Sequence, residues 1–241
     1  MASLNELVRR GLRDQLPEPP WRLVSYNRSI GPTVERDVDT DDGVTEGALR
    51  ARLSIGGRLA PNVIGHLQHV DPLSADLQQL VPDDAWFAPS PTSPTSPPGR
   101  RTRPVWTGLL QTAGGTGTGI VIGAVEATAG YRGIPEGVAE IRRQLGVVCI
   151  PSLAQMVEVM DLHCQMEHGG NPTHTARALA LAHLVRGQLE EGLRLVELSR
   201  QAYLRTAGDV LLRQPRRVAH ELDEVQRLER FAAWLAHAPI T

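Results

Sequence analysis

Lysine is absent: all 25 basic residues of the 241-residue chain are arginine. That removes every mechanism that needs an ε-amine. A phosphate-cradling loop ending in Gly-Lys-Ser/Thr, a Schiff-base lysine for pyridoxal phosphate, the strand lysine of protein kinases and a Ser-x-x-Lys nucleophile pair are all excluded. Cysteine is nearly as scarce. The two present, Cys149 and Cys164, do not form a disulfide framework, and both read as reduced core residues. An excess of one charge is lacking too. With 25 basic and 27 acidic residues there is no basic stripe of the kind that phosphate neutralisation needs, so nucleic acid is not the expected partner. Long apolar runs are missing. The most weakly charged stretch, Pro104 to Val125, is mostly Gly and Thr, and the opening "MASLNELVRRGLRDQL" is amphipathic rather than a signal peptide. No membrane association is expected, and the expected compartment is the cytoplasm.

Hydrophobic residues make up 41% of the chain, ample for a packed core. Ser3 and Glu6 form a capping box for an N-terminal helix carrying Leu4, Leu7, Val8 and Leu12, which "PEPP" stops at Pro17. Strand-like runs follow at 21–30, 33–38 and 48–56, and in the last of them Leu49, Ala51 and Leu53 alternate with Arg50 and Arg52. Residues 88–103 are rich in Pro, Ser and Thr, and read as a linker or a surface excursion between residues 1–87 and the rest. Residues 104–150 hold further strands, which either continue the sheet or open a second domain, and a short helix from Pro135 to Gly146. From Pro151 onward the pattern is helical. Ser152 and Gln155 make a second capping box, Gly187 ends the next helix, and a last helix after Pro215 sets Val218, Leu222, Val225 and Leu228 on one face. The expected fold is α+β: an antiparallel sheet with an N-terminal helix, then a layer of about four helices over 151–241.

Three stretches invite a chemical reading. "MDLHCQMEHGG", Met160 to Gly170, places His163 with Glu167 and Cys164 with His168 at helical i,i+4 spacing, so His163, Cys164, Glu167 and His168 are the candidate metal ligands, with zinc as the ion. The pairs lie on adjoining faces, and the two-histidine spacing of the metalloprotease helix is missing. The favoured reading is therefore a core helix whose histidines suit the negative end of its dipole. "DVDTDDGVTEG", Asp37 to Gly47, resembles a calcium loop at Asp37, Asp39 and Asp41, then departs from it where Asp42 replaces the turn glycine and Ala48 the bidentate glutamate. An acidic turn between strands is expected. The glycines 114, 115, 117, 119 and 123 lack the third glycine and the following helix of a dinucleotide fingerprint, and read as a hairpin or bulged connection. No catalytic motif is found.

Residues 176–204, "ARALALAHLVRGQLEEGLRLVELSRQAYL", resemble one tetratricopeptide repeat: Leu179 and Ala180 in a first helix, Gly187 at the turn, Gly192 and Ser199 at small positions of the second. His183, Ala176 and Leu204 stand where the family has an aromatic, a tryptophan-like opening residue and a closing proline. The resemblance implies two closely packed antiparallel helices and a protein-binding role, and it covers one unit where an array needs about three. The expected function is accordingly non-catalytic binding of another protein, as an adaptor, regulator or immunity-type inhibitor, with no cofactor. The alternative is a zinc-dependent hydrolase built on residues 163–168 in which Glu167 serves as base. A small-molecule site at the glycine-rich connection is a third possibility.

Overall fold

The computed structural model describes residues 6, 9–11, 13, 21–27, 31–39, 46–56, 62–86, 105–110, 120–121, 139, 142–143, 145–147, 151–165, 173–213 and 215–239. The chain is α+β and divides into two compact units. One comprises residues 1–69 and 106–150, the other 70–105 and 151–241. Residues 88–103, expected as a linker or surface excursion, lie outside the described residues, and the strand Trp106–Leu110 beyond them belongs to the first unit.

The first unit carries a six-stranded sheet with strands β1 (Arg22–Asn27), β2 (Gly31–Asp39), β3 (Glu46–Gly56), β4 (Asn62–Val70) and β5 (Trp106–Leu110) side by side in chain order. The short β6 (Ile120–Val121) also pairs with β4. In the register of β2 and β3, Val34 pairs with Ala51 and Glu35 with Arg50. Val34 is fully buried. Asp37 and Asp39 lie in β2, opposite Ala48 and Glu46 of β3. The acidic stretch therefore begins and ends in an antiparallel hairpin, whose tip lies outside the described residues. The sequence reading passed over β4, whose residues 66–69 pair with 106–109 of β5.

Glu6, Arg9, Arg10, Gly11 and Arg13 are helical, as are Ala139, Arg142, Arg143, Leu145 and Gly146. Both fall within the helices expected from the sequence, whose capping box at Ser3 and proline at 135 lie outside the described residues. Leu145 is buried, and its carbonyl accepts the indole N–H of buried Trp21 at 3.1 Å, closing a loop of 124 residues. The Arg36 guanidinium stacks over the Trp21 ring, 5.3 Å from its centroid.

The second unit holds α1 (Pro72–Leu80), α2 (Leu153–Gln165), α3 (Thr173–Leu184), α4 (Leu189–Arg213) and α5 (Pro215–Leu235). Helix α1 begins as the chemistry of "VDPL" dictates: Asp71 is the N-cap, accepting from the Leu73 amide, and Pro72 occupies the first turn, where no N–H is needed. At α2 the capping box is closed both ways, the Ser152 amide donating to Gln155 Oε1 at 2.9 Å and the Gln155 amide to Ser152 Oγ at 3.3 Å. Helix α3 ends in a Schellman motif. Gly187 takes a φ of +74°, its amide donates to Leu184 O, and the Gln188 amide donates to His183 O. One core joins α1, α3, α4 and α5: Leu77, Val81, Ala85 and Trp86 meet Ala180, Leu181 and Leu184 of α3, Val196 and Tyr203 of α4, and Val225, Leu228, Phe231 and Leu235 of α5.

Candidate functional site

The hairpin of α3 and α4 is set by side-chain size. A Cβ on Gly192 would come within 3.0 Å of the Ala180 carbonyl oxygen and 3.4 Å of Leu235 Cδ2, so glycine lets the α4 backbone pass close over α3. Ala180, Leu179 and Ser199 are fully buried, as close approach at the small positions requires. His183 also turns inward. Its Nδ1 lies 2.7 Å from Gln188 Oε1.

From Ala176 onward helix α3 has no wet face. Every residue from Ala176 to Leu184 is buried, and this includes Arg177, at 0% exposure. An unpaired guanidinium there would be prohibitive. It is held instead by three partners: Glu224 of α5 at 3.2 Å, the Ala85 carbonyl at 3.2 Å and the face of Phe231, 6.0 Å away. Burial pulls the guanidinium down from its ordinary value, and the Glu224 carboxylate pulls it back.

At the end of α3 a second ion pair ties α1 to the turn. Arg186 reaches both carboxylate oxygens of buried Asp71, at 2.9 and 3.2 Å, and its own Ala182 carbonyl at 2.6 Å. Asp71 therefore caps one helix and anchors another. Replacing it with Asn keeps the cap acceptor and removes the charge that Arg186 requires. The expected loss is about 2 kcal/mol, the worth of a charge-assisted hydrogen bond together with the desolvation left behind, read as a lowered urea midpoint at constant m-value.

The outer face is laced with ion pairs. Arg194 bridges Glu191 at 2.7 Å and Asp161 of α2 at 3.3 Å, and Arg200 bridges Glu197 at 2.7 Å and Glu229 of α5 at 3.5 Å. The bond from Arg194 holds the Glu191 carboxyl below its ordinary 4.5, and the bond from Arg200 does the same for Glu197. A carboxyl lowered by folding adds stability that is present above its unfolded pKa and is lost as pH falls through the folded one. Acidification below about pH 4.5 should therefore lower the melting temperature of the helical unit, and replacing Arg194 and Arg200 with Gln should shallow that dependence. Exposure limits each pair to well under about 1 kcal/mol. Two-dimensional NMR titration of the two glutamates gives the direct check.

Of the four candidate metal ligands, only the Cys164 side chain is among those described. His163 belongs to α2, but its side chain, like Glu167 and His168, lies outside the described residues, and so does the glycine-rich connection at 114–119 and 123. Cys164 is buried on the inner face of α2 with Met156, Val157 and Met160. Burial pushes its thiol up, Asp161 adds to the effect and Arg205 opposes it. Arg205 donates to the Cys164 carbonyl, so near the C-terminal end of α2 an arginine supplies the positive charge expected of the histidines. Among the described residues no three His, Cys, Asp or Glu side chains gather to hold a metal ion.

Leu222, expected on the buried face of the last helix, is 44% exposed. The buried stripe of α5 runs instead through Glu221, Glu224, Val225, Leu228, Phe231 and Leu235, and Glu224 in it pairs with Arg177. Leu204 of α4 is exposed as well. Among the described residues no helix is long and apolar enough to cross a membrane. No family model, curated protein or solved structure matches the chain.

Proposed function

We propose that the chain is a non-catalytic protein-binding protein, an adaptor, regulator or inhibitor, whose partner docks on the helical unit. One observation carries the reading. The α3–α4 hairpin is fixed by Gly192 against Ala180 and by the Schellman turn at Gly187, and α5 packs on it through the Leu228–Phe231–Leu235 stripe. This builds a surface whose backbone is set before a partner arrives, and pre-organisation of that kind lowers the entropic cost of association. The small residues at 180, 192 and 199 that support it are the same ones on which the resemblance to a tetratricopeptide repeat rests.

The test exploits the missing lysine. Amine-reactive cross-linkers find no side-chain amine on this chain, so a photoreactive amino acid is placed at successive exposed positions of α4 and α5, such as Gln201, Leu204, Leu222 and Gln226, and in the sheet at Val24 as control. A partner of this kind yields one repeated cross-linked protein from helical positions and none from Val24. Cross-links spread evenly over both sets of positions, or an absence from all helical ones in the native host, would overturn the reading.

A further inference from the structure

We propose that residues 71–86 are a displaceable strap, an intrachain occupant of the face made by α3 and α5, and that the partner binds by presenting a segment of the same form: a short helix followed by a turn with outward carbonyls. This rests on the binding role proposed above and names its site.

The strap is remote in sequence from what it covers. Its contacts with α3 and α5 span 92 residues at Arg177–Ala85 and 146 at Arg230–Asp84, so it can leave without breaking any helix of the layer. Its grip is unusual. Arg227 donates to the Asp83 carbonyl at 3.3 Å, Arg230 to the Asp84 carbonyl at 2.9 Å and Arg177 to the Ala85 carbonyl at 3.2 Å. Three arginines therefore hold three consecutive main-chain oxygens, groups that any peptide in that conformation presents. Buried Asp71, paired with Arg186, and Asp84, 3.4 Å from Arg230 at the exposed edge, add charged side chains to this grip.

The contact is also more polar than a core. Asp71, Ser74 and Gln78 of the strap and Arg177 beneath it all have 0% exposure, mixed among Leu77, Val81, Ala85 and Trp86. Separable interfaces have this composition, an apolar centre with hydrogen-bonded polar groups set into it, whereas a permanent interior tends to be apolar. The fit leaves a donor unused: Arg186 Nε is buried with no hydrogen-bond partner among the described residues, so a segment carrying one more acceptor there satisfies the face better than the strap does. A competing segment thus needs an aspartate-like cap, leucine and valine four residues apart and a terminal aromatic to pack at a tilt against Phe231, as Trp86 does with ring centroids 6.2 Å apart.

Two measurements on the full chain decide the matter. In native-state hydrogen exchange the amides of 73–81 should open together, with protection about 100-fold or more below that of α4 and α5. A fluorescent peptide with the sequence of residues 71–86 should bind a full-length Trp86→Ala chain at least about tenfold more tightly than the native chain, where the intact strap competes at high effective concentration. Strap amides that exchange only together with α4 and α5 would overturn the proposal, and so would a peptide that binds neither chain while Trp86→Ala keeps its helical circular dichroism. If Trp86→Ala does not fold, Asp71→Asn replaces it. Exchange on the unsubstituted chain needs neither variant nor partner, so a locked strap and a missing partner are separate results.

Discussion

Replacing Glu224 with leucine is expected to destabilise the helical unit by about 3–5 kcal/mol, the range for removing one member of a buried ion pair. The cost does not come from the lost attraction alone. Arg177 stays where it is, with 0% exposure, and keeps the Ala85 carbonyl and the Phe231 face while losing the Glu224 carboxylate at 3.2 Å. Leucine leaves a cation in an apolar surround. Arg227, which also lies 3.9 Å from Glu224, keeps Asp223 at 2.9 Å and absorbs little of the change. The asymmetry is the diagnostic feature. Exchanging both partners, Arg177→Met with Glu224→Leu, should recover most of the stability or exceed it, because two desolvation penalties vanish together. Urea unfolding of the two single variants and the double variant gives the coupling energy directly. A single-variant loss under about 1 kcal/mol would mean that water reaches Arg177, contrary to its burial.

This pair also marks where sequence reading stops. Caps and turns are local chemistry, so the Ser152–Gln155 box and the glycine at 187 were legible, and alternation at Leu49, Ala51 and Leu53 placed β3 within two residues of its start at Glu46. Helix α1 went unread although "VDPLSADLQQL" carries both an N-cap aspartate and a proline at the first turn. Its weak apolar pattern, with Leu73 and Leu80 outside and Ser74 and Gln78 inside, hides its face. The same inversion misled the reading of α5. Helical periodicity counts leucine as buried and glutamate as wet, so it set Leu222 in the core and missed Glu221 and Glu224, which are buried. A glutamate is drawn inward only by a cation across the fold, and Arg177 lies 47 residues away. No window of one or two helical turns contains both. Of the candidate metal cluster, the sequence placed Cys164 on the inner face correctly and could not foresee Arg205, 41 residues on, at its carbonyl.

Two glycines on one helix should respond to substitution with opposite signs. At Gly208, in α4, nothing lies within 4 Å of an added Cβ, so alanine removes backbone freedom from the unfolded chain without a clash, and Gly208→Ala should stabilise by about 0.5–1 kcal/mol. At Gly192 the same propensity gain applies, but the new methyl meets the Ala180 carbonyl oxygen at 3.0 Å. That oxygen is main chain in a helix buried from Ala176 to Leu184, so it cannot swing aside as the Leu235 methyl at 3.4 Å can. Overpacking of this kind costs about 1–3 kcal/mol. Gly192→Ala should therefore be destabilising by a net of about 1 kcal/mol, and Gly192→Val, with two more carbons and a restricted χ1, by about 3 kcal/mol or more. Thermal and urea unfolding of the three variants would show the ordering. If Gly192→Ala proved as stabilising as Gly208→Ala, helices α3 and α4 would not be in the close contact that the small residues at 180 and 192 permit, and the resemblance to a tetratricopeptide hairpin would lose its physical basis. If the signs oppose, that contact is real, and a rigid hairpin is available for a partner to read.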